Sequence, residues 1–91
     1  MTEAEPGARP RRELYVRHAR LHGRSVALLR AVDEGDRCVV EADVWPAKQE
    51  AHPYTALAAG PYVFPSPVEA TAFVTDAVEA LIALGCEVGA S

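Results

Sequence analysis

Residues 64–73, FPSPVEATAF, mark where the chain changes from strand to helix. Ser66 is a favourable N-cap, and Pro67 suits the first helical position because its missing N–H is not needed there. Glu69 completes an S-x-x-E capping box with Ser66. The apolar run before Pro65 ends at this point, since proline cannot donate a hydrogen bond within a sheet. The stretch therefore predicts the end of a strand and the beginning of a helix.

The helix is predicted to run from Pro67 to about Leu84, because Gly85 can supply the left-handed residue that ends many helices. At about 3.6 residues per turn, one face collects the apolar side chains that we expect to cover a sheet: Ala70, Phe73, Val74, Ala77, Val78, Leu81 and Leu84. The opposite side carries alanines among acids and is less polar than a fully solvated helix needs. We therefore predict that a second copy of the chain contacts this side at Ala72, Ala80 and Ala83.

Four strands are predicted before the helix. ELYVRHARL and RSVALLRAV flank His22-Gly23, a two-residue loop that suits a type I′ turn. DEGD at residues 33–36 predicts a turn into RCVVEADVW, and PYVF at residues 61–64 predicts a short fourth strand. The predicted fold class is α+β: a four-stranded antiparallel sheet in the order β-β-β-β-α, with one long C-terminal amphipathic helix packed on one face.

The turns also predict a strand register. The first turn places His18 opposite Ala27 and Val16 opposite Leu29, and counting through the second turn places Val40 opposite Leu29 as well. Because side chains alternate between the two faces of a sheet, one face is then apolar and belongs to the core: Leu14, Val16, Ala27, Leu29, Ala31, Cys38, Val40, Ala42 and Val44.

The other face of the predicted sheet mixes aromatic rings with charges. A single nucleic-acid strand needs aromatic side chains for base stacking and cations for its phosphates, and the candidates for this face are Tyr15, Arg17, Arg24, Arg30 and Trp45. Arg24 is expected opposite Trp45. Glu41 and Asp43 count against a polyanion, and we expect Arg17 and Arg30 mainly to neutralise Glu41 and its neighbours.

The net charge supports the interpretation that the arginines of this face neutralise neighbouring acids rather than bind a polyanion. The chain carries −4 overall; residues 1–32 hold seven arginines against three acids, whereas residues 33–91 hold two cations against ten acids. Nonspecific nucleic-acid binding depends on the neutralisation of phosphates. An acidic chain is therefore expected to bind nucleic acid weakly, with binding lost as the salt concentration rises.

The composition predicts one small domain. With 91 residues, we expect a single α+β domain over residues 13–91, behind a disordered leader over residues 1–12. Seventeen alanines leave few side chains for a large core, which favours self-association. Eight arginines against one lysine indicate a high-GC bacterial source, and the lack of a long apolar segment predicts the cytoplasm. Cys38 and Cys86 are expected to be free there.

Signals for catalysis are weak, and we expect no cofactor and no metal. The three histidines are too scattered for a ligand pattern. The segment 46–60 contains Glu50, His52 and Tyr54, an acid, a base and a phenol, but no nucleophile motif accompanies them.

Three function classes remain. The first is a noncatalytic interaction or regulatory module that acts as a homodimer and contacts a protein partner. The second is a single-stranded nucleic-acid-binding domain that uses the mixed sheet face. The third is a small enzyme or ligand-binding protein that uses the loop at residues 46–60. The lack of catalytic motifs and the alanine-rich back of the helix favour the first.

Overall fold

The computed structural model describes residues 11–46 and 56–90, which form an antiparallel sheet crossed by one helix. The strand order across the sheet is β4-β3-β2-β1-β5. The α+β class is therefore confirmed, but the sheet has five strands rather than four. In chain order the elements are β1 (Arg12–Leu21), β2 (Arg24–Asp33), β3 (Cys38–Val44), β4 (Leu57–Phe64), α1 (Pro67–Ala83) and β5 (Glu87–Ala90).

The hairpin between β1 and β2 forms as predicted. His22 and Gly23 have φ angles of 53° and 79°, the left-handed values that a type I′ turn requires at both loop positions. Leu21 pairs with Arg24 across this turn. The local sequence is therefore sufficient to place this turn.

The predicted register of β1 against β2 is correct at Arg20–Leu21 and again at Arg12–Glu13, but it is wrong by one residue over residues 15–19. The ladder shifts by one residue between Ala19 and Arg20, so that Ala19 rather than His18 lies opposite Ala27. Side chains alternate with a period of two, so a shift of one residue moves the rest of the strand to the other face. The bulge therefore exchanges the predicted faces of residues 15–19. A second shift between Glu13 and Tyr15 restores the predicted register, and Leu14 packs against the core cluster as predicted.

The exchange determines which β1 side chains face the helix. Tyr15 lies opposite Ala31 and Arg17 lies opposite Leu29, and both of these β2 residues are buried on the α1 side. Val16, which was predicted to join the core, lies on the side of the sheet away from α1. We call that side the open face.

The register of β2 against β3 differs from the prediction by two residues. Cys38 lies opposite Asp33, and Val40 lies opposite Ala31, because residues 34–37 form the loop between the strands. A displacement of two residues leaves every side chain on its predicted face. Six of the seven predicted core residues of these strands are accordingly buried, and Val44 is only half-buried. The buried ones are Ala27, Leu29, Ala31, Cys38, Val40 and Ala42.

The fourth strand is longer than predicted and contains an irregularity. β4 begins at Leu57, and its register against β3 shifts at Gly60 and Pro61. Gly60 has a φ of 84°, and a Cβ there would lie 2.9 Å from the backbone nitrogen of Tyr62, so this position favours glycine. Pro61 is tolerated because β4 is an edge strand. Most of the predicted loop before β4, residues 47–55, lies outside the described residues, as do residues 1–10 of the predicted leader.

Both ends of α1 agree with the sequence pattern. The hydroxyl of Ser66 accepts a hydrogen bond from the backbone N–H of Glu69 at 3.4 Å, and Pro67 occupies the first turn. Gly85 has a φ of 98°, as a residue that ends a helix in the left-handed region should. The predicted N-cap at Ser66 is confirmed, but among the hydrogen bonds of the described residues the reciprocal bond to the Glu69 carboxylate of a capping box is absent.

The predicted amphipathic character of α1 is not clearly present. Within this helix of 17 residues, only Ala70 and Val74 are buried. Leu84, which was predicted to face the sheet, is 74% exposed, and Val68 is 77% exposed. The helix therefore packs on the sheet through a narrow stripe and leaves large apolar side chains outside.

The structure adds a strand that the sequence pattern did not predict. β5 pairs antiparallel with Arg17–Arg20 of β1, so the helix is not the last element. The segment EVGA contains glycine and alanine, which have low strand propensity, and is too short to show an alternating pattern. Its pairing depends on α1, which returns the chain to the free edge of β1.

The core consists of small side chains. One cluster is built from Leu29, Cys38, Val40, Ala42, Ala70 and Val74, and a second from Ala19, Ala27 and Cys86. The largest fully buried side chains are those of Val40 and Cys38. Both cysteines are free and buried, as expected. Over the ranges that the structure describes, no helix is long and apolar enough to cross a membrane.

Candidate interaction surfaces

The open face is arranged in rows that cross the strands. One row runs from His18 in β1 through Leu28 in β2 and Asp43 in β3 to Ala58 in β4. Directly opposite residues in antiparallel strands lie on the same face with Cβ atoms about 5 Å apart. Each row is therefore a set of neighbouring side chains.

Arg30 occupies the next row and is held by two carboxylates. Its guanidinium nitrogens lie 3.3 Å from a carboxylate oxygen of Glu13 and 3.7 Å from one of Glu41. These side chains are partly exposed, so each pair contributes little to stability. Their electrostatic consequence is larger, because they neutralise the positive charge of Arg30. The prediction that Arg30 pairs with Glu41 is confirmed.

The same network continues toward the loop between β2 and β3. Arg11 lies 2.7 Å from Glu41 and 3.3 Å from Glu34, and Arg37 lies 2.9 Å from Glu34. Together with Arg30 and Glu13, three arginines face three glutamates. Among the described residues, this half of the open face therefore offers a polyanion no excess of positive charge.

Two of the five residues predicted to bind nucleic acid lie on the opposite side of the sheet. The Tyr15 hydroxyl is 2.9 Å from the Thr71 hydroxyl of α1. The guanidinium of Arg17 stacks 4.8 Å from the centre of the Tyr15 ring and donates to the Val16 carbonyl at 2.9 Å. Their predicted face was wrong because of the bulge at Ala19, and Arg17 does not neutralise Glu41 as expected.

Arg24 and Trp45 are also not opposite each other as predicted. The backbone N–H of Trp45 donates to the Val26 carbonyl at 2.9 Å. Arg24 instead pairs with Leu21, which packs against the second core cluster on the α1 side. Of the five predicted residues, only Arg30 and Trp45 lie together on the open face, and Arg30 is already paired.

One corner of the open face holds three side chains that the sequence pattern did not bring together. His18 Nε2 lies 2.8 Å from Ser25 Oγ, and the imidazole centre is 6.3 Å from the indole ring system of Trp45. Burial lowers the pKa of His18 below its usual 6.5, and the charge of Arg20 lowers it further. The imidazole is therefore neutral at pH 7. No local signal in the sequence predicts the bulge that places His18 here.

This corner lacks most of what a hydrolytic site needs. A serine bonded to a neutral histidine is a nucleophile and a base in suitable geometry. Within the described residues, however, His18 has no carboxylate partner to orient it, and Ser25 lies in a strand rather than at a turn that exposes backbone donors. The three side chains are better explained as cross-strand packing.

A shallow groove on the open face follows the irregularity in β4. It has a volume of about 270 Å³ and lies between Leu28, Arg30, Asp43 and Pro61. Pockets for small molecules usually have volumes of roughly 300–1,000 Å³ and are mostly apolar. This groove is small and bordered by charges, so it suits a single side chain of a partner better than a small-molecule ligand.

The outer surface of α1 and the edge at β4 are the most apolar exposed regions described. The three alanines predicted to contact a second copy, Ala72, Ala80 and Ala83, are all exposed. The exposed fractions of the large apolar side chains in these two regions are 52% for Leu57, 40% for Tyr62, 56% for Val63, 77% for Val68 and 55% for Ile82. Val63 lies opposite Val39 on the open face, whereas Leu57 and Tyr62 lie on the α1 side, so these side chains are spread over more than one surface.

The third predicted function class, a small enzyme or ligand-binding protein, depends on the loop at residues 46–60. Glu50, His52 and Tyr54 lie outside the described residues, so the third function class is an expectation from the sequence alone. Over residues 11–46 and 56–90, no three histidine, cysteine, aspartate or glutamate side chains lie close enough together to hold a metal ion.

No protein-family model matches the chain, and no curated protein and no solved structure matches it either.

Proposed function

We propose that the protein is a small noncatalytic interaction or regulatory module of a bacterial cytoplasm, and that it acts as a homodimer. One observation supports this proposal most. Alanine fills much of the interior, where Ala19, Ala31 and Ala70 are 0–1% exposed, while Val68 and Leu84 are 77% and 74% exposed. Large apolar side chains are thus left exposed on α1, although the interior also contains Leu29 and Val40.

The energetic reason follows from size. Full burial of a valine or leucine side chain stabilises a protein by about 1.5–3 kcal/mol, whereas a buried alanine contributes far less. A domain of this length is marginally stable by itself. An interface that covers several of the exposed side chains would add apolar burial that the core does not supply.

The predicted contacts on α1 do not all lie in the same electrostatic environment. At about 100° per residue, Ala72 and Ala83 project near the crest of the helix, beside the exposed Asp76 and Glu79. Ala80 projects roughly 60–80° away from that crest. A symmetric contact centred on the crest would bring like charges together, which costs energy. Ala80 therefore belongs to the more favourable side of the predicted contact.

Sedimentation velocity of the whole chain over a range of micromolar concentrations tests this proposal. We expect the mass to shift from monomer to dimer as the concentration rises, since the proposed surface is modest in area. A mass that stays monomeric at the highest soluble concentration would remove self-association from the proposal.

A further inference from the structure

The groove on the open face forms because β4 has small residues beside the longer side chains of β3. At the register shift, Gly60 and Pro61 of β4 lie beside Glu41. In the next row Asp43 lies opposite Ala58. Glycine has no side chain and alanine has a single methyl group, so nothing on β4 fills the space next to the two β3 carboxylates. The result is the groove of about 270 Å³.

The groove spans two rows of side chains that differ in character. Leu28, Asp43 and Ala58 line one row, and Arg30, Glu41 and Pro61 line the other. The first row is apolar apart from the carboxylate of Asp43, since both direct neighbours of that residue carry only alkyl groups. A side chain that lies in this row therefore meets alkyl groups along its length and one carboxylate.

The two acids of the groove differ in their charge balance. Glu41 lies 2.7 Å from Arg11 and 3.7 Å from Arg30, and Arg30 also lies 3.3 Å from Glu13. Among the described residues, no cationic side chain lies within ion-pair distance of the half-buried Asp43. The groove therefore presents one carboxylate whose charge these residues do not neutralise.

The combination of an alkyl-lined row and this carboxylate matches a side chain that is aliphatic along its length and cationic at its end. Lysine and arginine have this form, and they commonly pack their methylene groups on apolar surface while the charged end stays near water. A volume of about 270 Å³ is below the usual range for small-molecule pockets but accommodates one such side chain. An apolar or anionic group would cover Asp43 without neutralising it, which costs energy.

We propose that the groove binds a long basic side chain, lysine or arginine, of a partner protein. Its charged end pairs with Asp43, and its methylene groups pack on Leu28 and Ala58. This inference rests on the proposed role as an interaction module and names the chemistry of the partner. Because the ion pair is partly exposed, its own affinity is low. The contact selects a basic position in the partner more than it adds affinity.

The test is a titration of the isotopically labelled whole chain with N-acetylarginine methylamide, followed through the amide chemical shifts. N-acetylcitrulline methylamide is the matched control compound, because it has nearly the same shape without the charge. We expect the arginine compound to shift the amides of Leu28, Asp43, Ala58 and Gly60 with a dissociation constant on the order of 1–10 mM. Equal shifts with the citrulline compound, or no shift of these amides at several times that concentration, would overturn the inference.

Three variants separate the groove from the acid alone. Asp43→Asn removes the charge at nearly constant shape and should weaken binding about fivefold, as the loss of a partly exposed ion pair does. Ala58→Leu keeps the charge but fills the groove, and it should abolish the shifts. Asp76→Asn, at an exposed acid of α1, is the control and should bind like the wild type. Binding that persists in Ala58→Leu would show that the carboxylate attracts the cation without the groove, against the inference. The amide spectrum of each variant shows whether it is folded.

Sedimentation velocity of Asp43→Asn separates this inference from the proposed homodimer. We expect the variant to dimerise like the wild type, because the partner is a different protein. Loss of the dimer would place a basic side chain of a second copy in the groove and would overturn the partner protein. A wild-type chain that stays monomeric but binds the arginine compound supports the inference without the homodimer, whereas a dimer that does not bind it overturns the inference alone.

Discussion

Removal of the hydrogen bond between Tyr15 and Thr71 tests whether β1 contains the bulge between Ala19 and Arg20. That bulge determines which β1 side chains face α1 and which lie on the open face. Tyr15 reaches Thr71 of α1 only because the bulge places it on the helix side. A neutral hydrogen bond contributes about 0.5–1.5 kcal/mol net. Because Tyr15 is half-buried and Thr71 is exposed, the lower part of that range applies. We therefore expect Tyr15→Phe and Thr71→Val to show a coupling free energy of about 0.5–1 kcal/mol in a double-mutant cycle.

The assay is urea denaturation followed by far-ultraviolet circular dichroism, with all four proteins at one concentration because self-association also affects stability. Tyr62→Phe is the matched control: the Tyr62 ring stacks on Phe73, but its hydroxyl has no hydrogen-bond partner among the described residues. It should show no coupling with Thr71→Val. A coupling of zero for Tyr15, or an equal coupling for Tyr62, would refute the bulge and return Tyr15 to the open face.

Four further outcomes are expected. Val40→Ala should destabilise the protein by about 2–3 kcal/mol in urea denaturation, because a fully buried side chain loses apolar contacts and leaves a cavity, whereas Val68→Ala, at a site 77% exposed, should cost less than about 0.5 kcal/mol. Ser66→Ala should lower the free energy of unfolding by about 1 kcal/mol through loss of the N-cap, and an unchanged midpoint would contradict the cap. The lowered pKa of His18 means that the unfolded chain binds its proton more readily, so stability should fall as the pH drops below 6.5 and level off below the folded-state pKa; His18→Gln should remove that part of the pH dependence in denaturation experiments. Trp45 fluorescence should show at most weak binding of single-stranded DNA or RNA that disappears as salt rises, and submicromolar binding at physiological salt would contradict the neutralised open face.

The features that the sequence predicted correctly depend on local chemistry. His22-Gly23 specifies a type I′ turn because few residue pairs accept two positive φ angles. Ser66, Pro67 and Glu69 specify the beginning of α1 through groups within one helical turn of each other. The buried face of β2 and β3 was also predictable, because alternation survives an error of two residues in register.

The tertiary structure alone decided the surfaces. The bulge between β1 and β2 places Tyr15 against α1, a contact between residues 56 positions apart, and no nearby residue type signals the bulge. β5 forms because α1 returns the chain to the edge of β1, and its short segment has little strand propensity of its own. Residue type and spacing thus determined the turns, the cap and the alternation, because these depend on a few neighbouring dihedral angles. Packing between distant segments determined which side chains share a face, because a shift of one residue has only a small local effect but exchanges the two sides of a strand.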